Sequence, residues 1–159
     1  MDDPPSTVRL GSQCEHSLDE EQLRQVAFRA MDFLQLGGRE LDILVADEDY
    51  MSELNERWLS SAGPTDVITI PALPEHTNSL GDIAICWPVV EQNAEVRDVE
   101  VNDEAAHLLV HGILHLAGFT HDSQEEYERM RSTALLIASE CSLKPDHPFL
   151  APIEEEIPS

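Results

Sequence analysis

Residues His107 to Asp122 read HLLVHGILHLAGFTHD, and the rest of the chain can be placed around them. Within this stretch His111, His115 and His121 stand at the spacing H-x3-H-x5-H. The first two are one helical turn apart, so on a helix both imidazoles leave the same face. Gly118 follows the helical run and can take the positive φ that stops a helix and turns the chain back. That turn carries the third histidine round to the first two. Three neutral imidazole nitrogens at about 2.0–2.1 Å from a common centre make three legs of a tetrahedron and leave the fourth to water. This is the arrangement of a catalytic zinc site rather than of a closed structural one. A lone histidine on an apolar helix is ordinarily a packing residue, whereas three at this spacing, with a helix-stopping glycine between the second and third, make a metal motif.

The spacing equals that of the metzincin peptidases, H-E-x-x-H-x-x-G-x-x-H, at every position but one. Where those enzymes carry the glutamate that acts as general base, this chain has Gly112. Glycine accepts no proton, so peptide hydrolysis by that route has lost its base. The motif therefore points to a metal-water hydrolase that is not an orthodox peptidase.

Working outward, the periodicity predicts a short strand at Thr7 to Leu10 and a helix opened by Ser17, with Glu20 three positions on as a capping box. Leu23, Val26, Ala27, Ala30, Phe33 and Leu34 carry that helix to about Leu36, where Gly37–Gly38 end it. Leu41, Ile43 and Val45 alternate in a strand over 40–46, and Asp47 caps a second helix bearing Tyr50, Met51, Leu54 and Trp58. Gly63–Pro64 turn the chain into a strand over 65–70, and Pro71 to Ser79 reads as a loop. A third strand is expected at Ile83 to Trp87, then a helix from Pro88 to about Arg97. Asn102 is placed to cap the main helix, 103–117. Ser123 with Glu126 opens a last one, whose apolar stripe is Tyr127, Met130, Ala134, Ile137, Ala138 and Cys141. The mixture is α+β: a small mixed sheet packed with helices, the central helix carrying the metal motif. Residues 1–141 form one domain, and 142–159, rich in proline and acidic residues, read as a loose tail.

The chain has 159 residues, enough to bury a core without staples. Three widely spaced cysteines with no CxxC pair argue for a reducing compartment. No signal peptide and no apolar run of membrane-spanning length is visible, which points to the cytoplasm and excludes a membrane partner. The charge is unusual: 9 basic residues face 32 acidic ones, a formal −23. Such a chain repels polyanions at low salt. The excess also suits a protein working at high ionic strength, since at ~1 M salt the Debye length falls to ~3 Å.

Taken together, these residues resemble the YbeY family of ribosome-associated endoribonucleases. The signature is His111-Gly112-Ile113-Leu114-His115-Leu116-Ala117-Gly118-Phe119-Thr120-His121, supported by Pro64-Thr65-Asp66-Val67-Ile68, by Leu80-Gly81-Asp82-Ile83 and by Met130. The similarity runs from about Leu41 to Ala138. It implies a zincin-like fold and one zinc ion bound by His111, His115 and His121. It also implies single-strand-specific cleavage that matures the 3′ end of 16S ribosomal RNA. The implied partners are ribosomal RNA, small-subunit proteins and assembly factors, with no DNA. Two positions depart from the family pattern. Thr120 stands where many members carry Asp, with Asp122 just after. Leu59 takes the place of an arginine implicated in activity, with Arg57 about 200° away round the helix.

With no glutamate beside the metal, the catalytic candidates are Asp66 and Asp82 as proton acceptors and Arg57 as a phosphate contact. Each has a duller role open to it, in strand-end hydrogen bonding, imidazole orientation or solvation. His107, on the same helical face as His111, reads as an exposed helix histidine. His16, His76 and His147 read as bystanders. Two further functions stay open: a metal-dependent hydrolase of another substrate class, protease-like, and a zinc-stabilised assembly factor with little catalysis.

Overall fold

A computed structural model describes residues 5–59, 66–76 and 78–143, with backbone alone at Trp58 and Leu59. In chain order the elements are β1 (Thr7–Ser12), α1 (Glu20–Phe33), β2 (Glu40–Ala46), α2 (Glu48–Leu59) and β3 (Val67–Pro71). They continue with β4 (Ser79–Cys86), α3 (Trp87–Arg97), α4 (Val101–Leu116) and α5 (Gln124–Glu140). The alternation at Leu41, Ile43 and Val45 becomes β2, with those three residues buried. The sheet order is β1-β2-β4-β3. β1 and β4 run parallel to β2, and β3 runs antiparallel to β4. This is the expected α+β mixture with its central helix.

Alternation along the strands divides the core in two. Leu41, Ile43, Val45, Ile83 and Ile85 pack with α1, α4 and α5 on one face. On the other face, Ile68, Ala84 and Cys86 pack with Met51 of α2. Helix α4 is the innermost element. Residues 104–110 are all buried, and the helix touches β3, β4, α1, α3 and α5. A helix apolar nearly all round is one that other elements must enclose, and each leucine it buries contributes about 1.5–3 kcal/mol. The metal motif thus sits at the end of the most enclosed helix of the fold.

Several boundaries move from their predicted places, each for a local reason. Helix α1 is capped by Asp19, whose carboxylate accepts from the Gln22 N–H at 3.1 Å, and not by Ser17. It ends at Phe33, ahead of the glycines, because Gln35 takes φ 59°. Asp47 does cap α2, accepting from the Tyr50 N–H at 2.9 Å. Asn102 is already inside α4, and its side chain accepts from the Asp19 N–H at 2.9 Å, tying α4 to the start of α1. Strand β4 begins at Ser79, so Leu80, Gly81 and Asp82 belong to the sheet. Ser123 caps α5 as expected, accepting from the Glu126 N–H at 3.1 Å. Leu143 is buried in the core. The Gly63–Pro64 turn, Thr65 and 144–159 lie outside the described residues.

The α3–α4 corner is held by an ion pair, Arg97 Nη1 to Glu104 Oε2 at 2.6 Å, with the Glu104 side chain fully buried and Arg97 26% exposed. Removing one partner of such a pair leaves a buried charge uncompensated. Arg97→Ala should therefore cost about 3 kcal/mol in urea denaturation. Arg97→Lys should recover only part of that.

Candidate metal centre

The helix-stopping turn forms as its glycine predicts. Beyond Leu116, Gly118 takes φ 101°. Its N–H donates to the His115 carbonyl at 3.0 Å, while the Phe119 N–H reaches back to the Leu114 carbonyl at 2.9 Å. These two bonds make a Schellman cap, which satisfies the last helical carbonyls and reverses the chain. The reversal delivers His121 to His111 and His115. One potential ligand atom from each of the three lies within 4.8 Å of the others.

The same turn sets the protonation pattern of the middle ligand. His115 Nδ1 lies 3.1 Å from the Phe119 carbonyl oxygen. A carbonyl only accepts, so Nδ1 carries the proton and Nε2 presents a lone pair. That Nε2 is 3.0 Å from His111 Nε2. Donors held tetrahedrally at 2.0–2.1 Å would stand ~3.4 Å apart. The first pair is already near that spacing. Burial first, then the charges of His115 and His121, push His111 down to about 4. His115 is also lowered, by burial and then by His121, against the Phe119 carbonyl and the Asp122 carboxylate, which raise it. Both are therefore neutral near pH 7, as ligation requires. The three converging imidazoles beside the cleft could hold a metal ion.

In metal-free protein the same burial has a pH signature. Above about pH 6.5 His111 is neutral in folded and unfolded chains alike. Below it the unfolded chain takes up a proton that the fold refuses until about pH 4. Stability should therefore fall as pH drops through that window. Thermal melts of metal-stripped protein should show the slope, and His111→Gln should flatten it.

Beside the histidines lies a cleft of about 40 Å³ walled by His107, His111 and His121 from the motif and by Tyr127, Met130 and Arg131 from α5. His107 is 3% exposed and forms part of this wall, contrary to its reading as an exposed histidine. Tyr127 and Arg131 are functional candidates that the motif does not reveal. The only hint in the sequence is the 127, 130, 131, 134 spacing, which puts an arginine on the stripe facing α4.

The other candidates are placed elsewhere. The charges acting on Asp66 are Glu104 and Arg97, near the start of α4, and burial raises its pKa. Glu104 is seven residues before His111, roughly 10 Å along the helix axis. Asp82 shares the register row of Asp42 and Arg9, and its side chain is exposed on the α2 side of the sheet. Its pKa is raised by burial and then by Asp42. Arg57 is exposed in the last turn of α2. None of the three lines the cleft. His16 accepts from the Leu18 N–H at 3.0 Å through Nδ1, so Nε2 bears the proton it shares with Glu20 and Ser12. It cannot serve as a base toward that serine. His147 lies outside the described residues.

The family model described as Endoribonuclease YbeY matches residues 10–142. Curated relatives under the same description include a Thermobifida fusca protein, 37% identical over 124 residues, 72% of this chain and 80% of the relative. A Salinispora tropica protein is 33% identical over 149 residues, 84% of this chain and 95% of the relative. The solution structure of a Thermotoga maritima protein is similar at a TM-score of 0.58 and 26% identity, covering 84% of this chain and 91% of that one. Among the described residues no helix is long and apolar enough to cross a membrane.

Proposed function

The chain belongs to the YbeY family of endoribonucleases, and we propose that it is a zinc-dependent endoribonuclease that cuts single-stranded RNA and matures the 3′ end of 16S ribosomal RNA in the cytoplasm. The observation that carries this reading is the convergence of His111, His115 and His121 beside an open cleft. A zinc ion held there supplies two things: water acidified from 15.7 toward ~7, and polarisation of a phosphoryl oxygen. The chain's own residues do the rest. Phe119 fixes the His115 ring through its carbonyl, and Asp122 lends that ring negative charge. Burial keeps His111 unprotonated and ready to ligate.

Gly112 offers no base, and a side chain in its place would press on the sheet. A Cβ there would meet Ile83 Cδ1 at 3.1 Å and Thr69 Cγ2 at 3.2 Å. With Asp66 and Asp82 both away from the cleft, neither is assigned the proton. Ribosomal RNA, small-subunit proteins and assembly factors remain the proposed partners. A second reading, a zinc-stabilised assembly factor with little catalysis, draws on the −23 charge, which opposes RNA binding. Purified protein with and without stoichiometric zinc, given single-stranded RNA and casein, decides between them. Zinc-dependent RNA cleavage with casein intact is the expected result. A folded, zinc-loaded chain that binds ribosomal subunits but leaves RNA whole would establish the second reading, and casein cleavage would return the chain to the peptidases.

A further inference from the structure

We propose that Arg131 is the residue that binds the substrate's phosphodiester beside the metal centre, a role that rests on the RNA-cleaving reading above. Arg131 walls the same cleft as His111 and His121. It reaches that cleft from α5, an element the histidine motif does not include. The rest of the wall is His107, Tyr127 and the apolar Val110, Met130 and Ala134, so the guanidinium brings a permanent positive charge to a lining of imidazoles, a phenol and apolar side chains.

Three arguments converge on a phosphate. The first is field: a chain at −23 repels a polyanion, so a cation in the cleft wall lowers that repulsion where the histidines stand. Of the nine basic residues, two stand on α5 near the motif. Arg131 is in the cleft wall, and Arg129 lies 5.1 Å from the centre of the Phe119 ring. The second is shape: the planar guanidinium fork presents two parallel N–H groups to two phosphate oxygens. The third is position: Arg131 shares the cleft wall with His111 and His121, so a phosphate that it holds lies beside the imidazoles. Glu128, at 3.5 Å, is the carboxylate one turn back. At that distance the pair holds its partners weakly.

The assignment also answers the missing cation. The arginine implied at position 59 is leucine, Arg57 is exposed on α2, and neither provides a charge in the cleft wall. Arg131 brings one from a different helix to the same metal centre.

The test measures binding of a 2′-O-methyl single-stranded RNA oligonucleotide, which resists cleavage, to zinc-loaded protein across a salt series. Cleavage of the unmodified oligonucleotide is followed in parallel. Arg131→Ala should weaken binding about tenfold at low salt. It should also reduce the slope of log affinity against log salt by ~0.7, the loss of one phosphate contact on a single strand. Zinc content and melting temperature should stay as in the unaltered protein. Arg131→Lys should keep the slope and recover part of the affinity. Arg24→Ala, which removes an equal charge from the exposed face of α1, should change neither. An unchanged slope in Arg131→Ala overturns the proposal, as does an equal loss in Arg24→Ala. A loss of zinc or melting temperature that Arg131→Lys does not restore also overturns it, in favour of a structural role. If the unaltered protein cleaves RNA with zinc while Arg131→Ala binds normally, this inference alone has failed. If the unaltered protein does not cleave, the functional reading has failed with it.

Discussion

His115→Ala should remove metal binding and RNA cleavage together, with turnover falling on the order of a thousandfold or more, since the acidified water is the source of the nucleophile. The residue does two jobs at the centre. Its Nε2 points at the other imidazoles, and its Nδ1–H is committed to the Phe119 carbonyl. Alanine deletes a ligand and leaves that carbonyl without its imidazole partner. The fold should survive, because His115 is only partly buried and the Schellman cap is made by backbone groups. Metal content and cleavage should therefore collapse while a metal-free melt stays close to that of the parent. Asp122→Asn is the graded companion. It removes the carboxylate that lends negative charge to His115 and leaves all three ligands in place. A much smaller loss in metal affinity than in His115→Ala is expected there, because the carboxylate acts on the ring through charge while the contact with the Phe119 carbonyl stays. Full metal retention by His115→Ala would show that the three histidines are not the ligand set.

The histidine cluster was legible in the sequence because its geometry is local. A helical turn fixes His111 against His115, and one glycine fixes the reversal that returns His121. Helix types and strand types were legible for the same reason, since a period of two or of 3.6 is written in neighbouring residues. What the sequence does not display is anything decided by packing between distant segments. His107 read as exposed because polarity and spacing alone cannot say that five elements enclose α4. Asp82 looked like a site residue because it adjoins a short motif, yet strand alternation turns it to the α2 side of the sheet. Arg131 lay in an apolar stripe, where its meaning depends on which helix that stripe faces. Ser17 and Asn102 were outcompeted as caps by Asp19 and by a bond across 83 residues.

Gly81→Ala should destabilise the fold by about 3–5 kcal/mol, the sum of a strained backbone and an overpacked contact. Against a typical total of 5–15 kcal/mol this threatens folding itself. Gly81 takes φ 140° in β4, opposite Pro71 of β3 and Leu41 of β2, beside a register shift in the β2–β4 pairing. A Cβ there would lie 2.5 Å from the Ile70 carbonyl oxygen, 3.0 Å from Leu116 Cδ2 and 3.3 Å from Pro71 Cα. Two of those neighbours are backbone atoms of the paired strand and cannot swing away. The third belongs to the last residue of α4, next to His115. Alanine must therefore push β3 off β4 or lift the end of α4 from the sheet, and the second movement displaces His115, a proposed metal ligand. Gly112 is the control, because it also lies at the helix–sheet contact but has ordinary helical φ and meets only side-chain tips, those of Ile83 and Thr69. At that position the gain in helix propensity, about 1 kcal/mol, offsets a small repacking, so Gly112→Ala should stay within about 1 kcal/mol of the parent. Urea midpoints of the two variants should therefore be widely separated. Any Gly81→Ala protein that does fold should bind zinc more weakly than Gly112→Ala. Equal midpoints would mean that β3 and α4 do not approach β4 this closely, and the metal ligands would then owe their position to the Schellman turn alone.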